Sequence, residues 1–276
     1  RLASWANWLD KLPVRDLMKS GAVTKRRISA DSKPDIVQDM LRFFGVSSPD
    51  AWVQHYEKME CAFRRTRSEQ SDIGAISAWL RMGETQAEKI NLPKYDKTRF
   101  EAALREIRTL TVREPQDFEP KLRQLCAESG VAFVLVPAIP GAHVSGVARW
   151  LGGNKPLIQL SLYGKTNDKF WFTFFHEAAH LLLHGRNEVF LDDISGKGID
   201  SKEEREANEW AGRFLIPDDF VSELPEARSR DAATRLANRI GIHPGIVVGR
   251  LQHDKHIDVR WLNNLKVSFR FSESES

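Results

Sequence analysis

The sequence has few cysteines, no long apolar run and no marked excess of charge of either sign. Cys61 and Cys126 are the only cysteines among 276 residues, which rules out a disulfide framework. Such scarcity is typical of a reducing compartment. No apolar stretch is long enough to cross a bilayer, and no charged-then-apolar leader indicates secretion. We therefore expect a cytoplasmic protein with no membrane partner.

The charge of the chain is nearly balanced. Lys and Arg number 41 against 38 Asp and Glu, a net charge of +3. This does not favour a nucleic-acid-binding surface over the whole molecule. The local basic stretch from Arg64 to Arg67 is interpreted as a solvated turn in preference to a phosphate contact. Because the chain starts at Arg1 and not at Met, we expect the natural N-terminus to be missing.

Apolar residues at helical spacing predict that residues 1–112 are all helical. This region shows no catalytic constellation, so we interpret it as an interaction region. Its tryptophans are expected in the core and not in a ligand cage. The predicted helices span residues 34–44, 48–56, 73–80 and 98–110, and the first of them ends at Gly45.

The sequence pattern changes after residue 112, and residues 113–225 predict a mixed α+β core. A helix is predicted over 118–128, followed by strands at 131–136, 144–151 and 157–162. Gly152 and Gly153 predict a hairpin turn between the last two strands. Residues 166–168 then offer an N-cap for a long helix that runs to about His184.

The long helix carries two histidines and a glutamate in the HExxH pattern. His176 and His180 lie four residues apart, so both imidazoles share one helix face and can bind a single zinc ion. Glu177 lies about 100° around the helix, where its carboxylate reaches a water on the metal and can act as general base. The apolar flanks predict a buried helix, in which such groups are costly unless paired or metal-bound. A hydrogen-bonded core cluster is the alternative.

A catalytic zinc needs a third protein ligand and an open position. The helix predicted over residues 201–217 supplies Glu204, with Asn208 one turn further on to orient a ligand imidazole. Glu206 falls on another face of the helix and is the less favoured ligand. A further alternative is that both glutamates are solvated surface charges. His184, with Gly185 as the expected C-cap, is interpreted as a cation near a helix C-terminus.

Two motifs resemble the ImmA/IrrE family of zinc metallo-endopeptidases: HEAAHLLLHG at 176–185 and EREANEWAGRFLIP at 204–217. Residues 159–180 are similar to the branch in which this domain follows an XRE-type helix-turn-helix, often described as HigA-like regulators. The resemblance covers about 114–251. It implies a gluzincin-like fold, Zn²⁺ on His176, His180 and Glu204, and Glu177 as base. It also implies a role in cutting or controlling a helix-turn-helix repressor.

Residues 226–262 show a helix, a glycine-containing turn and a second helix, the pattern of a helix-turn-helix-like module. Its arginines could meet phosphate, but packing is the favoured interpretation. Residues 263–276 are predicted to be a polar tail.

We therefore predict a zinc endopeptidase with a helix-turn-helix repressor as protein substrate. DNA binding through the missing N-terminal domain and homodimer formation both stay open. Tyr163, His143 and Arg149 are unranked candidates for the oxyanion donor. The rival is a DNA- or toxin-binding transcriptional regulator or antitoxin whose zinc is structural or sensory.

Substrate recognition is predicted to use backbone pairing and folded flanking regions. The strand at 157–162 is expected to offer a free edge to an extended substrate. The helical regions 1–113 and 229–253 are expected to select the folded partner. Residues 113–225 alone are expected to retain zinc but to lose selectivity or all activity towards the native target.

Overall fold

The computed structural model describes residues 1–63, 72–162, 164, 166–186, 189–193 and 201–271. The Arg64–Arg67 stretch, Tyr163 and residues 272–276 of the predicted tail lie outside them. Within the described ranges, no helix is both long and apolar enough to cross a membrane. The fold is α+β, which confirms the predicted class.

The N-terminal part is helical, as the apolar spacing predicts. A 3-10 helix at Ala3–Lys11 comes first, and the helix at Lys33–Phe44 ends at Gly45, whose φ of 67° is left-handed. A left-handed glycine is the commonest way to end a helix. The α-helices of this part are α1 Val14–Lys19, α2 Lys33–Phe44, α3 Pro49–Phe63, α4 Ile73–Glu88, α5 Lys97–Thr109 and α6 Pro115–Glu128.

A small mixed sheet follows α6. Its strands are β1 Ala132–Leu135, β2 Val144–Leu151, β3 Lys155–Leu160 and β4 Phe190–Asp193, in the order β1-β3-β2-β4. β1 runs parallel to β3, and β2 is antiparallel to both β3 and β4. The predicted glycine turn joins β2 to β3, and β4 was not predicted.

The central position of β3 contradicts one expectation from the sequence. β3 was expected to offer a free edge to an extended substrate, but it pairs with β1 on one side and β2 on the other. Its backbone groups are therefore already bonded. The outer strands of the described sheet are β1 and β4. Strand order depends on contacts between distant segments, which local patterns do not report.

The remaining helices carry the chemistry and close the fold. They are α7 Asn167–Leu183, α8 Lys202–Leu215, α9 Asp218–Val221, α10 Arg230–Ile240 and α11 Pro244–His253. Gly241, with φ of 78°, separates α10 from α11. The predicted pair of helices is therefore present, and α11 packs against α7 with residues 246–248 buried. This packing agrees with the interpretation of the segment as a packing module. Contact with DNA stays a prediction.

Two hydrophobic cores cover opposite faces of the sheet. The N-terminal core joins residues from α1 to α4 with Val134, Val147 and Leu157 of the strands. The α7 core joins residues from α5, α6, α7, α8, α10 and α11 with Phe133 and Ile158. Neighbouring strand residues point to opposite faces, so each strand contributes to both cores.

The first turn of α7 is held by residues 266–269, which we call the C-terminal strap. The N-cap residue Thr166 makes no capping hydrogen bond with its side chain. The Asn167 N–H instead donates to the Val267 carbonyl at 2.8 Å, and Lys266 Nζ lies 2.6 Å from Asp168 Oδ2. Residues 263–271, which were assigned to a polar tail, are thus packed onto the fold, and Phe269 is buried.

Candidate metal centre

Helix α7 is almost wholly buried, and it buries polar side chains among apolar ones. Phe174, Phe175 and Ala178 are fully buried, while His176 and His180 are each 2% exposed and Glu177 is inaccessible to solvent. Burying two imidazoles and a carboxylate is unfavourable unless each finds a partner or a metal ion. The helix therefore indicates a functional site.

The two histidines and Glu204 converge on one point. The Nε2 atoms of His176 and His180 are 3.0 Å apart. Glu204 Oε2 lies 3.2 Å from Nε2 of His176, and its Oε1 lies 3.5 Å from Nε2 of His180. All three ligand atoms lie within 4.8 Å of one another, a geometry that can hold a metal ion. The structure thus brings together the three residues proposed from the sequence.

Glu204 reaches this point because of how α8 begins and packs. Its N–H donates to Ser201 Oγ at 3.1 Å, which fixes the first turn of α8. The small residues Ala207 and Ala211 are fully buried and let α8 approach α7 closely. Phe214 further along α8 packs on Phe175 of α7. These contacts turn the first turn of α8 towards the histidines.

The protonation states of these groups suit a divalent cation. Burial lowers the pKa of His180 to about 4, so its imidazole is neutral at pH 7. Burial alone would raise the pKa of Glu204, but hydrogen bonds with His176 and His180 outweigh it and lower the pKa to about 2. Neutral imidazole and ionised carboxylate are the forms that bind zinc. The residues present therefore fit the ion that the pattern predicts.

Glu177 is adjacent to the ligands without joining them. Among the described residues, the cluster able to hold a metal contains His176, His180 and Glu204 but not Glu177. The Glu177 carboxylate instead lies against β2, beside Gly146. This is the separation that a general base needs, because a carboxylate bound to the metal could not also take a proton from water.

His184 lies behind the ligand pair, and its environment corrects the sequence interpretation. Helix α7 ends at Leu183, His184 itself is the C-cap with extended backbone, and Gly185 is not a left-handed cap. The Nδ1 atom of His184 lies 2.9 Å from Nδ1 of His180, and its Nε2 lies 3.3 Å from Glu206 Oε2. Glu206 and His184 thus support the ring of a ligand histidine.

Asn208 does not have the orienting role predicted for it. Its side chain is exposed, and no hydrogen bond joins it to another described residue. Four residues advance a helix by a full turn and about 40° more, and the short amide does not reach back across that angle. The longer Glu206 side chain, through His184, takes the supporting role.

Two of the oxyanion candidates can be placed. Arg149 points away from α7 into the N-terminal core, where its Nη2 donates to the Leu80 carbonyl at 2.8 Å. The α7 core includes Ala148, the neighbouring residue on the other face of β2, and not Arg149. Arg149 is therefore excluded as an oxyanion donor. His143 is partly buried just before β2, with a left-handed φ of 49°. Its role stays a prediction.

A helix with two converging histidines, a small sheet at its side and a carboxylate from a following helix are the elements of a zinc metallopeptidase-like fold. Residues 133–252 match the family described as IrrE N-terminal-like domain, Peptidase_M78. The match covers less than half of the chain, and it supports the ImmA/IrrE membership that the two motifs predicted. The search of curated proteins found no match. A fusion to an XRE-type domain stays a prediction.

Proposed function

We propose that this protein is a zinc-dependent endopeptidase that cleaves or controls a helix-turn-helix transcriptional repressor in stress or mobile-element regulation. The observation that carries the proposal is the buried convergence of His176, His180 and Glu204, with the Glu177 carboxylate beside them but outside the cluster. A site of this kind supports hydrolysis of a peptide bond.

Two imidazoles and one carboxylate are a ligand set of catalytic zinc sites, and three protein ligands leave a coordination position for water or substrate. The ion, when bound, lowers the pKa of a coordinated water and polarises the carbonyl of the scissile bond. His176, His180 and Glu204 would hold it. The His184–Glu206 contact keeps the His180 ring in place for that task.

Glu177 moves the proton in this proposal. One carboxylate oxygen accepts a proton from the attacking water, and the same carboxyl group then donates it to the nitrogen of the departing amine. The Glu177 side chain is fully buried, which keeps bulk water from its carboxylate. A buried carboxylate holds its proton between the two steps and does not lose it to solvent.

The choice of substrate rests on the family resemblance. A helix-turn-helix repressor is the protein substrate that the ImmA/IrrE family suggests, and a cytoplasmic location agrees with the scarcity of cysteine. Binding of DNA through an N-terminal domain beyond Arg1 and assembly as a homodimer belong to the same proposal. The buried packing of α11 against α7 gives the described helix pair a supporting role in the fold.

The rival function is a DNA- or toxin-binding regulator with a structural or sensory metal. A structural zinc site is usually closed by a fourth protein ligand. Among the described residues, the cluster offers three, and the nearby carboxylate of Glu177 stands apart. This arrangement favours the enzyme.

The test is incubation of zinc-loaded protein with helix-turn-helix repressors from the same genome. Glu177→Gln should keep its zinc and its fold while cleavage falls by about 10²- to 10⁴-fold, because an amide cannot accept the proton. Glu209→Gln, an exposed position on α8, is the matched control and should cleave normally. Cleavage by Glu177→Gln at the wild-type rate would refute the mechanism. Absence of any cleavage by wild type, with a candidate repressor bound intact, would favour the regulator.

A further inference from the structure

Gly146 occupies an unusual place in the sheet. It lies in β2, between Leu160 of β3 and Asp192 of β4, at an irregularity in the pairing of β2 with β4. Its φ is not positive, so any L-residue could adopt its backbone conformation. The need for glycine here must come from the surrounding space.

That space is taken by the candidate general base. A Cβ on residue 146 would lie 2.6 Å from Glu177 Oε1, 2.8 Å from Thr173 Cγ2 and 2.9 Å from Leu160 Cδ2. Carbon atoms in contact normally stay about 3.5–4 Å apart. The carboxylate therefore occupies the volume that a side chain at residue 146 would fill. Its oxygen is the nearest of these atoms, and it ends a flexible side chain that can swing away.

Strand β2 is held in place next to Gly146. Ser161 Oγ donates to the Val144 carbonyl at 2.6 Å, and the Ser161 N–H donates to the Ser145 carbonyl at 2.9 Å. On the face of the N-terminal core, Arg149 anchors the strand to α4. The backbone at Gly146 cannot retreat to make room, so a new side chain would displace Glu177.

We propose that Gly146 is a positioning residue for Glu177: the missing side chain sets how close the carboxylate lies to β2 and thereby to the metal ligands. The proposal rests on the proposed role of Glu177 as proton acceptor. It assigns to β2 a part in the reaction that is separate from metal binding, because neither ligand histidine is among the atoms nearest to a Cβ at residue 146.

The test uses Gly146→Ala in the full zinc-loaded chain with acetohydroxamic acid as probe. A hydroxamate binds zinc and shares a hydrogen bond with a neighbouring carboxylate, so its affinity reports the position of Glu177 without any turnover. We expect Gly146→Ala and Glu177→Gln each to weaken the probe by about tenfold or more, the usual effect of losing a charged hydrogen bond. Zinc affinity, measured by competition with a chelator, should be unchanged.

Gly83→Ala is the matched control. A Cβ at this buried glycine of α4 would meet the Gln159 side chain on the other face of the sheet. It should lower the melting temperature but leave hydroxamate binding as in wild type. If Gly146→Ala does not fold, the double variant Gly146→Ala/Thr173→Ser removes the Cγ2 contact while keeping the clash with Glu177, and it should show the same weak binding.

Two binding results would overturn the inference: wild-type hydroxamate affinity in folded Gly146→Ala, or in Glu177→Gln. If the hydroxamate pattern appears as expected but wild type cleaves no repressor, the positioning role of Gly146 stands and the proposed function fails. Normal repressor cleavage by Gly146→Ala would refute the positioning role while leaving the peptidase intact.

Discussion

The two faces of the sheet both bury polar side chains, but they use them differently. Towards the N-terminal core, Arg149 donates to the Leu80 carbonyl at 2.8 Å and Gln159 donates to the Trp79 carbonyl at 2.7 Å. Each has a fixed backbone acceptor. Towards the α7 core, the histidines and the carboxylate of the metal centre face one another. Polar groups with backbone partners hold the fold, whereas groups that converge on one point are available to a ligand.

The same comparison shows that the site depends on both faces. β2 contributes Val147 and Arg149 to the N-terminal side and Gly146 to the side of Glu177. The N-terminal helices therefore help to fix the strand against which the carboxylate of the candidate base packs. We expect changes on the N-terminal side to reduce stability first, and changes on the α7 side to reduce metal binding first.

Removal of the N-terminal face together with part of the α7 core is the strongest way to break this comparison. A chain of residues 113–225 was expected from the sequence to retain zinc, but it would expose Val134, Val147 and Leu157, which the N-terminal helices bury. The free energy of unfolding of a domain is only about 5–15 kcal/mol, so we expect this shortened chain not to fold. Circular dichroism on heating would check it. A cooperative transition with one bound zinc would show that residues 113–225 fold without the N-terminal helices and without α10 and α11.

A single substitution in the N-terminal core should have the next largest effect. Trp79 is fully buried on α4, and its Nε1 donates to the Val136 carbonyl at 3.0 Å. Trp79→Ala should lower the free energy of unfolding by about 3–5 kcal/mol, measured in urea, and leave zinc affinity unchanged while the chain is folded. Trp261→Ala, at a position that is 60% exposed, is the control. A loss of zinc without a loss of stability would contradict the division of roles.

On the α7 side, two glutamates two residues apart sharpen the comparison. Glu204→Ala removes a predicted ligand and should lower zinc affinity by at least about a hundredfold, whereas Glu206→Ala removes only the support of His184 and should lower it by about tenfold. Competition with a chelator measures both. If Glu206→Ala has the larger effect, Glu204 is not the third ligand. Neither change should alter the urea midpoint of the metal-free chain as much as Trp79→Ala does.

Local periodicity was sufficient for much of the site. The fourfold spacing of His176 and His180 and the apolar flanks of α7 are local features, and so is the spacing on α8 that singled out Glu204. The prediction of Arg149 as a candidate oxyanion donor was wrong, and the strand pattern alone could have excluded it. Alternation along β2 puts it on the face of Val147, opposite Ala148.

Other features depend on contacts between distant segments and have no local signal. β4 is only four residues long, and the order of the strands reflects tertiary packing. The contact of His184 with Glu206 requires α8 to lie against α7. No sequence pattern indicates the proposed role of Gly146. A glycine that is needed because the space around it is filled looks like any other glycine in a strand.

The C-terminal strap also means that α7 acquires one of its contacts late in synthesis. The N–H of Asn167, at the start of the metal-binding helix, bonds to the carbonyl of Val267, a hundred residues later. A ribosome adds about 5–20 residues each second, so α7 exists for several seconds before its first turn acquires this partner. The chain must therefore be translated beyond residue 267 before the helix that carries His176 and His180 is anchored at both ends. Translation past residue 267, and not the emergence of the HExxH motif itself, is therefore the point from which the first turn of α7 can take its final place.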